Sequence, residues 1–185
     1  MKSTKQIHQP IIDQCKNNNP KAQMHLYNLY CKAMFLISFR YVKDRYIAED
    51  VMQDAFIKVF KNINNYKNEV AFGAWLKKIV INQSIDHLKK NKLELVSINE
   101  EVIAKTDEDD WQVDSDISTD EIIKVINSLK EKYRLVLTLY LLEGYDHAEI
   151  AEVLKITATT SRTHLLRGKK ILKEELKNTK YAARY

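Results

Sequence analysis

The residues best suited to chemistry lie towards the C-terminal end, in "HAEIAEVLKITATTSRTHLLRGKKIL", residues 147–172. If Leu165 and Leu172 face inward on one helix, its geometry turns Thr159, Thr163, Leu166 and Lys170 outward, with Arg162 and Arg167 flanking them. Hydroxyl and guanidinium groups on one outer face suit hydrogen bonding to phosphates and to base edges in a major groove. Catalysis has no comparable support. His8, His25, His87, His147 and His164 show no spacing with acids or cysteines that suggests a metal or an activated nucleophile, and there is no phosphate-cradling Gly-rich loop. No cofactor is expected.

Presenting such a face takes two crossing helices. Ile150, Ala151 and Leu154 form the inner side of a short helix, Ile156 plugs the turn, and the small Ala151 permits the close approach of a helix-turn-helix. Two positions depart from the usual pattern. Lys155 stands in the turn where Gly is common, and Ser161 stands where a buried Val or Ile is usual, so the turn must tolerate a side chain and some packing is lost. The plainer alternative is a basic amphipathic helix capping a bundle.

Composition says what surrounds this device. The 185 residues suit one domain or two small ones, and a hydrophobic content of 45% fills cores in either arrangement. Three Gly and two Pro leave little turn punctuation, so the fold is expected to be all-α. Cys15 and Cys31 have no CxxC spacing and support neither a disulfide framework nor zinc, which fits a reducing cytoplasm. No signal peptide or membrane span is expected, because apolar runs are only a few residues long.

Charge divides the chain further. Residues 1–92 carry 16 Lys and Arg against 7 Asp and Glu, residues 93–121 carry 1 against 11, and residues 122–185 carry 13 against 7. Two basic segments separated by an acidic one suggest two polyanion-facing units on a tether of opposite sign.

Before the tether, the spacing predicts three helices. The first runs from Lys21 to about Lys43 with Ala22, Leu26, Leu29, Ala33, Leu36 and Ile37 inward, and the second from about Ile47 to Ile63 with Val51, Ala55, Val59 and Phe60 inward. On the second helix Glu49, Asp50, Gln53 and Asp54 gather on the exposed side. "NINNYKNE" reads as a loop, and a third helix spans roughly Val70 to Lys90 with Phe72, Trp75, Leu76, Ile79, Val80 and Leu88 inward. Residues 93–118 lack sustained periodicity and read as a linker. Helices resume at about Thr119 behind "STDE", which resembles an N-terminal cap. "TDEIIKVINSL" and "EKYRLVLTLYLLE" make two short helices, and Gly144 ends the second.

Both halves together resemble one family, the extracytoplasmic-function sigma factors of bacterial RNA polymerase. "AEDVMQDAFIKVFKNI" followed by "FGAWLKKIVINQSIDHLKKNK" is similar to its region 2, with the ED-x-x-QD core and the F-x-x-WL and N-x-x-x-D elements. "YRLVLTLYLLEGYDHAEIAEVLKITATTSRTHLLRGKKIL" is similar to its region 4, with EIA and T-x-x-x-x-L-x-R in register. The resemblance covers about residues 20–180. It implies an N-terminal segment 1–20, region 2 at 21–92, an acidic linker at 93–118 and region 4 at 119–180, as two small helical domains.

The resemblance also implies roles. Asp50, Gln53 and Asp54 would bind the polymerase clamp coiled coil, a pattern that fits a basic partner helix, although acids near a helix N-terminus also favour its dipole. Asn64, Asn65, Tyr66, Lys67, Lys78, Ile79, Asn82 and Asp86 would form the minus-ten site around a flipped base. Phe72 and Trp75 are expected in the core, which leaves Tyr66 as the aromatic contact. Thr159, Thr160, Arg162, Thr163, Leu166 and Arg167 would read the minus-35 element, while His164 replaces an Arg frequent in the family. The linker would thread towards the RNA exit path, or serve only as a solubilising tether. Implied partners are core RNA polymerase (clamp coiled coil and flap), promoter DNA and an anti-sigma factor, without membrane insertion. The competing expectation is a stand-alone helix-turn-helix regulator that binds a palindromic site as a dimer.

Overall fold

In the structure, a computed structural model, residues 7–92 and 117–182 are described. The chain divides into two compact units, Met1–Ser97 and Ile98–Tyr185. The acidic linker expected at 93–118 falls outside the described residues except for Ile117 and Ser118. All regular structure in the described residues is helical.

In the first unit, α1 (Gln9–Lys16), α2 (Pro20–Val42), α3 (Arg45–Lys61) and α4 (Phe72–Lys92) enclose one core, with α2, α3 and α4 packed on one another and α1 against α2. Polar residues beside each start define these helices. The Asn19 side chain accepts from the backbone N–H of Lys21 and Ala22 at 3.0 and 3.2 Å, and Pro20 opens α2 where its missing N–H costs nothing. Lys43 ends α2 in the left-handed region at φ 64°, and the Asp44 carboxylate at once accepts from Tyr46 and Ile47 at 2.9 and 3.0 Å, turning the chain into α3. The sequence reading missed α1, whose Ile12 and Cys15 are fully buried.

The inward face of α2 needs correction. Leu29 and Leu36 are 44% and 62% exposed and Ala33 is exposed, while Met34, Ser38 and Tyr41 are buried. Each step of three residues lags a full turn by about 60°. The steps from 26 to 29 and from 33 to 36 therefore rotate the expected stripe off the core, whereas Leu26, Tyr30, Met34 and Ser38 hold it there. At the crossing with α4, Ser38 and Ser84 are both wholly buried, their hydroxyls are hydrogen-bonded at 3.3 Å, and Ser84 donates to Val80 O at 2.8 Å. The inward residues of α3 and α4 stand largely where the spacing puts them, with Met52, Phe56, Ile81 and Ile85 added to the core.

The second unit is α5 (Thr119–Ser128), α6 (Glu131–Leu137), a π turn (Thr138–Leu142), α7 (His147–Leu154) and α8 (Ala158–Ala182). Its starts are written in local chemistry. Ser118 and Glu121 form a reciprocal capping box for α5, and Asp146 and Glu149 form another for α7. Hydrogen bonds from Ser118 also lower the Glu121 pKa, since they favour its charged form. Gly144 closes the π turn at φ 75°, the conformation expected of it. Helix α6 is buried from Tyr133 to Leu137 and packs on α8 at Gly168.

Candidate nucleic-acid interface

Helices α7 and α8 meet through a turn that begins at Lys155, at φ 58° and ψ 44°, whose N–H donates to Ala151 O. A side chain in the left-handed region is strained, so Lys155→Gly is expected to raise the stability of this unit by about 0.5–1 kcal/mol, read as a higher unfolding midpoint in urea. Behind the turn the Thr157 hydroxyl accepts from Thr160 N–H at 3.0 Å and starts α8. The Thr160 hydroxyl lies 2.8 Å from that of Thr157, so this half-buried residue helps to cap the helix.

The outer face of α8 carries Thr159, Arg162 and Lys170 exposed and Thr163 and Leu166 half-buried, with Thr163 Oγ1 donating to Thr159 O at 3.1 Å. Arg167 differs from the expected outward arginine. It is half-buried, and its Nη2 is buried with no hydrogen-bond partner among the described residues. His164 turns inward, edge-on to Tyr133 with ring centroids 5.8 Å apart, so it does not stand in for a phosphate-binding arginine.

Ser161 also corrects the sequence reading. It is wholly buried, yet its hydroxyl lies 2.9 Å from His147 Nδ1, so a hydrogen bond replaces the packing that was expected to be lost. Burial holds His147 below its ordinary value of 6.5, Arg162 and Lys169 add to the effect, and Asp146 opposes it. The folded unit thus binds this proton less readily than the unfolded chain. Stability falls as pH drops through 6.5, and the loss is complete once pH passes below the folded-state value. Protection factors of the α7 and α8 amides, taken relative to the intrinsic exchange rate at each pH, are expected to fall as pH drops over that window, with His147→Asn removing the dependence.

In the first unit, Glu49, Asp50, Gln53 and Asp54 all stand exposed on α3, opposite the buried Val51, Ala55 and Val59, with Gln53 Nε2 donating to Glu49 Oε1 at 3.4 Å. Beside this face an open groove of about 460 Å³ runs between α2 and α3, floored by Tyr27, Phe35 and Met52 and rimmed by Arg45 and Glu49. The sequence reading missed it, because the exposed Leu36 on its edge was assigned to the core.

The expected minus-ten residues divide into two groups. Asn64, Asn65 and Lys67 are exposed on the loop, Lys78 and Asp86 are exposed on α4, and Ile79 is half-buried against the core. Asn82 lies one turn from each of those two α4 residues and is half-buried, and its Oδ1 is buried without a hydrogen-bond partner among the described residues. Tyr66 is excluded as a stacking contact. It is 2% exposed, its ring packs on Phe72 and Trp75, and its hydroxyl donates to Val70 O at 2.7 Å. Three aromatic rings thus anchor the loop from within, and Phe72 and Trp75 belong to the core side as expected.

The second of the two helical units carries a helix-turn-helix whose outer face exposes Arg162 and Lys170, an arrangement of the class that binds nucleic acid. Family models agree: residues 26–94 match Sigma-70 region 2 and residues 119–172 match Sigma-70, region 4. The chain is 26% identical over 178 residues to the ECF RNA polymerase sigma factor SigW of Bacillus subtilis, covering 90% of this chain and 95% of that protein. It is 25% identical over 182 residues to the ECF RNA polymerase sigma-E factor of Haemophilus influenzae, covering 91% and 94%. Among solved structures, the sigma factor RpoE of Bartonella quintana, in complex with the anti-sigma factor NepR, superposes with a TM-score of 0.51 at 21% identity, covering 83% of this chain and 96% of that one. The chain belongs to the sigma-70 family and, within it, to the extracytoplasmic-function sigma factors of RNA polymerase. A stand-alone regulator is not favoured, since its first unit would be a dimerisation or effector module and here it matches region 2.

Proposed function

We propose that the chain is a dissociable initiation subunit that docks on core RNA polymerase and reads promoter DNA with both units. Residues 21–92 bind the clamp coiled coil through Asp50, Gln53 and Asp54, and the minus-ten element through Asn64, Asn65, Lys67, Lys78, Asn82 and Asp86. Residues 119–180 bind the minus-35 element through Thr159, Arg162, Thr163, Leu166 and Arg167, with Thr160 capping the reading helix. One observation carries the DNA assignment most directly. A buried, unpartnered amide oxygen costs about 1–3 kcal/mol, and Asn82 bears one on α4, a turn from the exposed Lys78 and Asp86, where the exocyclic amine of an extruded base would satisfy it.

The chain performs no catalysis on this reading; nucleotide polymerisation belongs to the core enzyme. An anti-sigma factor is a further partner, for which the groove between α2 and α3 offers an apolar floor with charged rims. Among the described residues no helix is long and apolar enough to cross a membrane, and we place the chain with RNA polymerase in the cytoplasm. Transcription in vitro, with core RNA polymerase and a pool of upstream genomic fragments, tests the proposal. New specific starts are expected only when the protein is added. Specific DNA binding by the protein alone, with no new starts, would return the stand-alone regulator to first place.

A further inference from the structure

The hydrogen bond between His147 and Ser161 lies where two apolar side chains would serve to hold a helix-turn-helix together. His147 is the first residue of α7 and Ser161 lies in the first turn of α8, and the Nδ1 to Oγ distance is 2.9 Å. The imidazole is held on its other side as well. It stacks on Tyr140 of the π turn with centroids 5.0 Å apart and planes 26° apart, and the Lys169 ammonium lies 5.8 Å from the Tyr140 ring centroid. The charged groups facing the ring are Asp146 beside it and Arg162 and Lys169 from α8.

Apolar contacts tolerate sliding; a hydrogen bond to a wholly buried hydroxyl such as that of Ser161 does not, because it weakens steeply with distance and angle and leaves the hydroxyl unsatisfied when broken. Rotating a helix by about 15° moves a side-chain end about 6 Å from its axis by roughly 1.5 Å, enough to break a base-edge contact. Arg162 and Thr163 follow Ser161 directly, so their aim depends on how α8 is rotated at that serine.

We infer that His147 is a positioning residue for DNA reading: through Ser161 it sets the rotation at which α8 presents Arg162, Thr163 and Leu166. The inference rests on the reading of α8 as the DNA-facing helix. It assigns to His147, which stands on α7 and not on the reading helix, a part in sequence discrimination.

Holoenzyme assembled from core RNA polymerase and the full chain is used to select from promoter duplexes with a fixed minus-ten element and a randomised minus-35 hexamer. His147→Ala is expected to reduce discrimination between the preferred hexamer and its nearest competitors by about tenfold, the order of one lost base contact. His147→Asn, which places an amide where Nδ1 stood, is expected to recover discrimination to within about threefold. Ser161→Val fills the site with apolar volume, and is expected to keep its thermal midpoint while losing discrimination as His147→Ala does. Unchanged discrimination in both His147→Ala and Ser161→Val would reduce the bond to a structural detail, and equal losses in His147→Asn and His147→Ala would show that the bond is not the agent. If the wild-type holoenzyme itself shows no minus-35 preference, the assignment of α8 fails, and that result is distinct from a failure of His147 alone.

Discussion

Gly168→Leu is expected to unfold the second unit while leaving the first folded. Where α8 crosses α6, a Cβ on Gly168 would already lie 3.0 Å from Leu137 Cδ1, 3.2 Å from Leu137 Cγ and 3.4 Å from Tyr133 Cβ. Leu137 is fully buried and Tyr133 nearly so. Forcing a whole isobutyl group into that crossing costs about 3 kcal/mol or more, a large part of what a unit this small possesses. Gly168→Ala is much milder, because the better helix propensity of Ala, about 1 kcal/mol, offsets part of the squeeze on Leu137. Hydrogen exchange checks this segment by segment. Protection is expected to vanish in α6 and α8 and to persist in α2, α3 and α4. Protection retained throughout by the Leu variant would mean that the crossing is looser than its distances indicate.

Replacing Asp50, Gln53 and Asp54 together by Ala is expected to weaken binding to core RNA polymerase at least tenfold and to abolish protein-dependent transcription. All three are exposed on α3, so thermal stability is expected to stay within about 0.5 kcal/mol of wild type. An acidic face that meets a basic helix depends on ionic strength. Wild-type affinity should therefore fall as salt rises, and the triple variant should show a flatter response. Titration of labelled core enzyme at two salt concentrations measures both. Full polymerase affinity together with weakened DNA binding would reverse the division of labour proposed for the first unit.

Local chemistry was the most legible part of the chain. The capping box at Ser118 and Glu121 is decided within four residues, so "STDE" suffices to mark a helix start, whereas the equally local box at Asp146 and Glu149 went unread. The acidic side of α3 was equally readable, because Val51, Ala55 and Val59 fix which side is inside. The face of α2 was not. That helix packs against α1, α3 and α4, and its buried set includes Ser38, which no apolar count selects. Tyr66 failed for a related reason: a loop aromatic is buried or exposed according to what the next helix brings to it, here Phe72 and Trp75. The partner of Ser161 lies 14 residues away, and composition gives no means of pairing it with His147.

The buried serine pair at the crossing of α2 and α4 has a consequence for alternative packings. Two apolar helices can slip past one another by a turn, about 5.4 Å, and find nearly as much contact as before. Here such a slip would part Ser38 from Ser84 and strand a hydroxyl in the core at a cost of about 1–3 kcal/mol. The pair therefore adds little to the depth of the native minimum and removes its nearest competitors. Lys78, Asn82 and Asp86, on the same helix as Ser84, thereby keep one vertical alignment against α2.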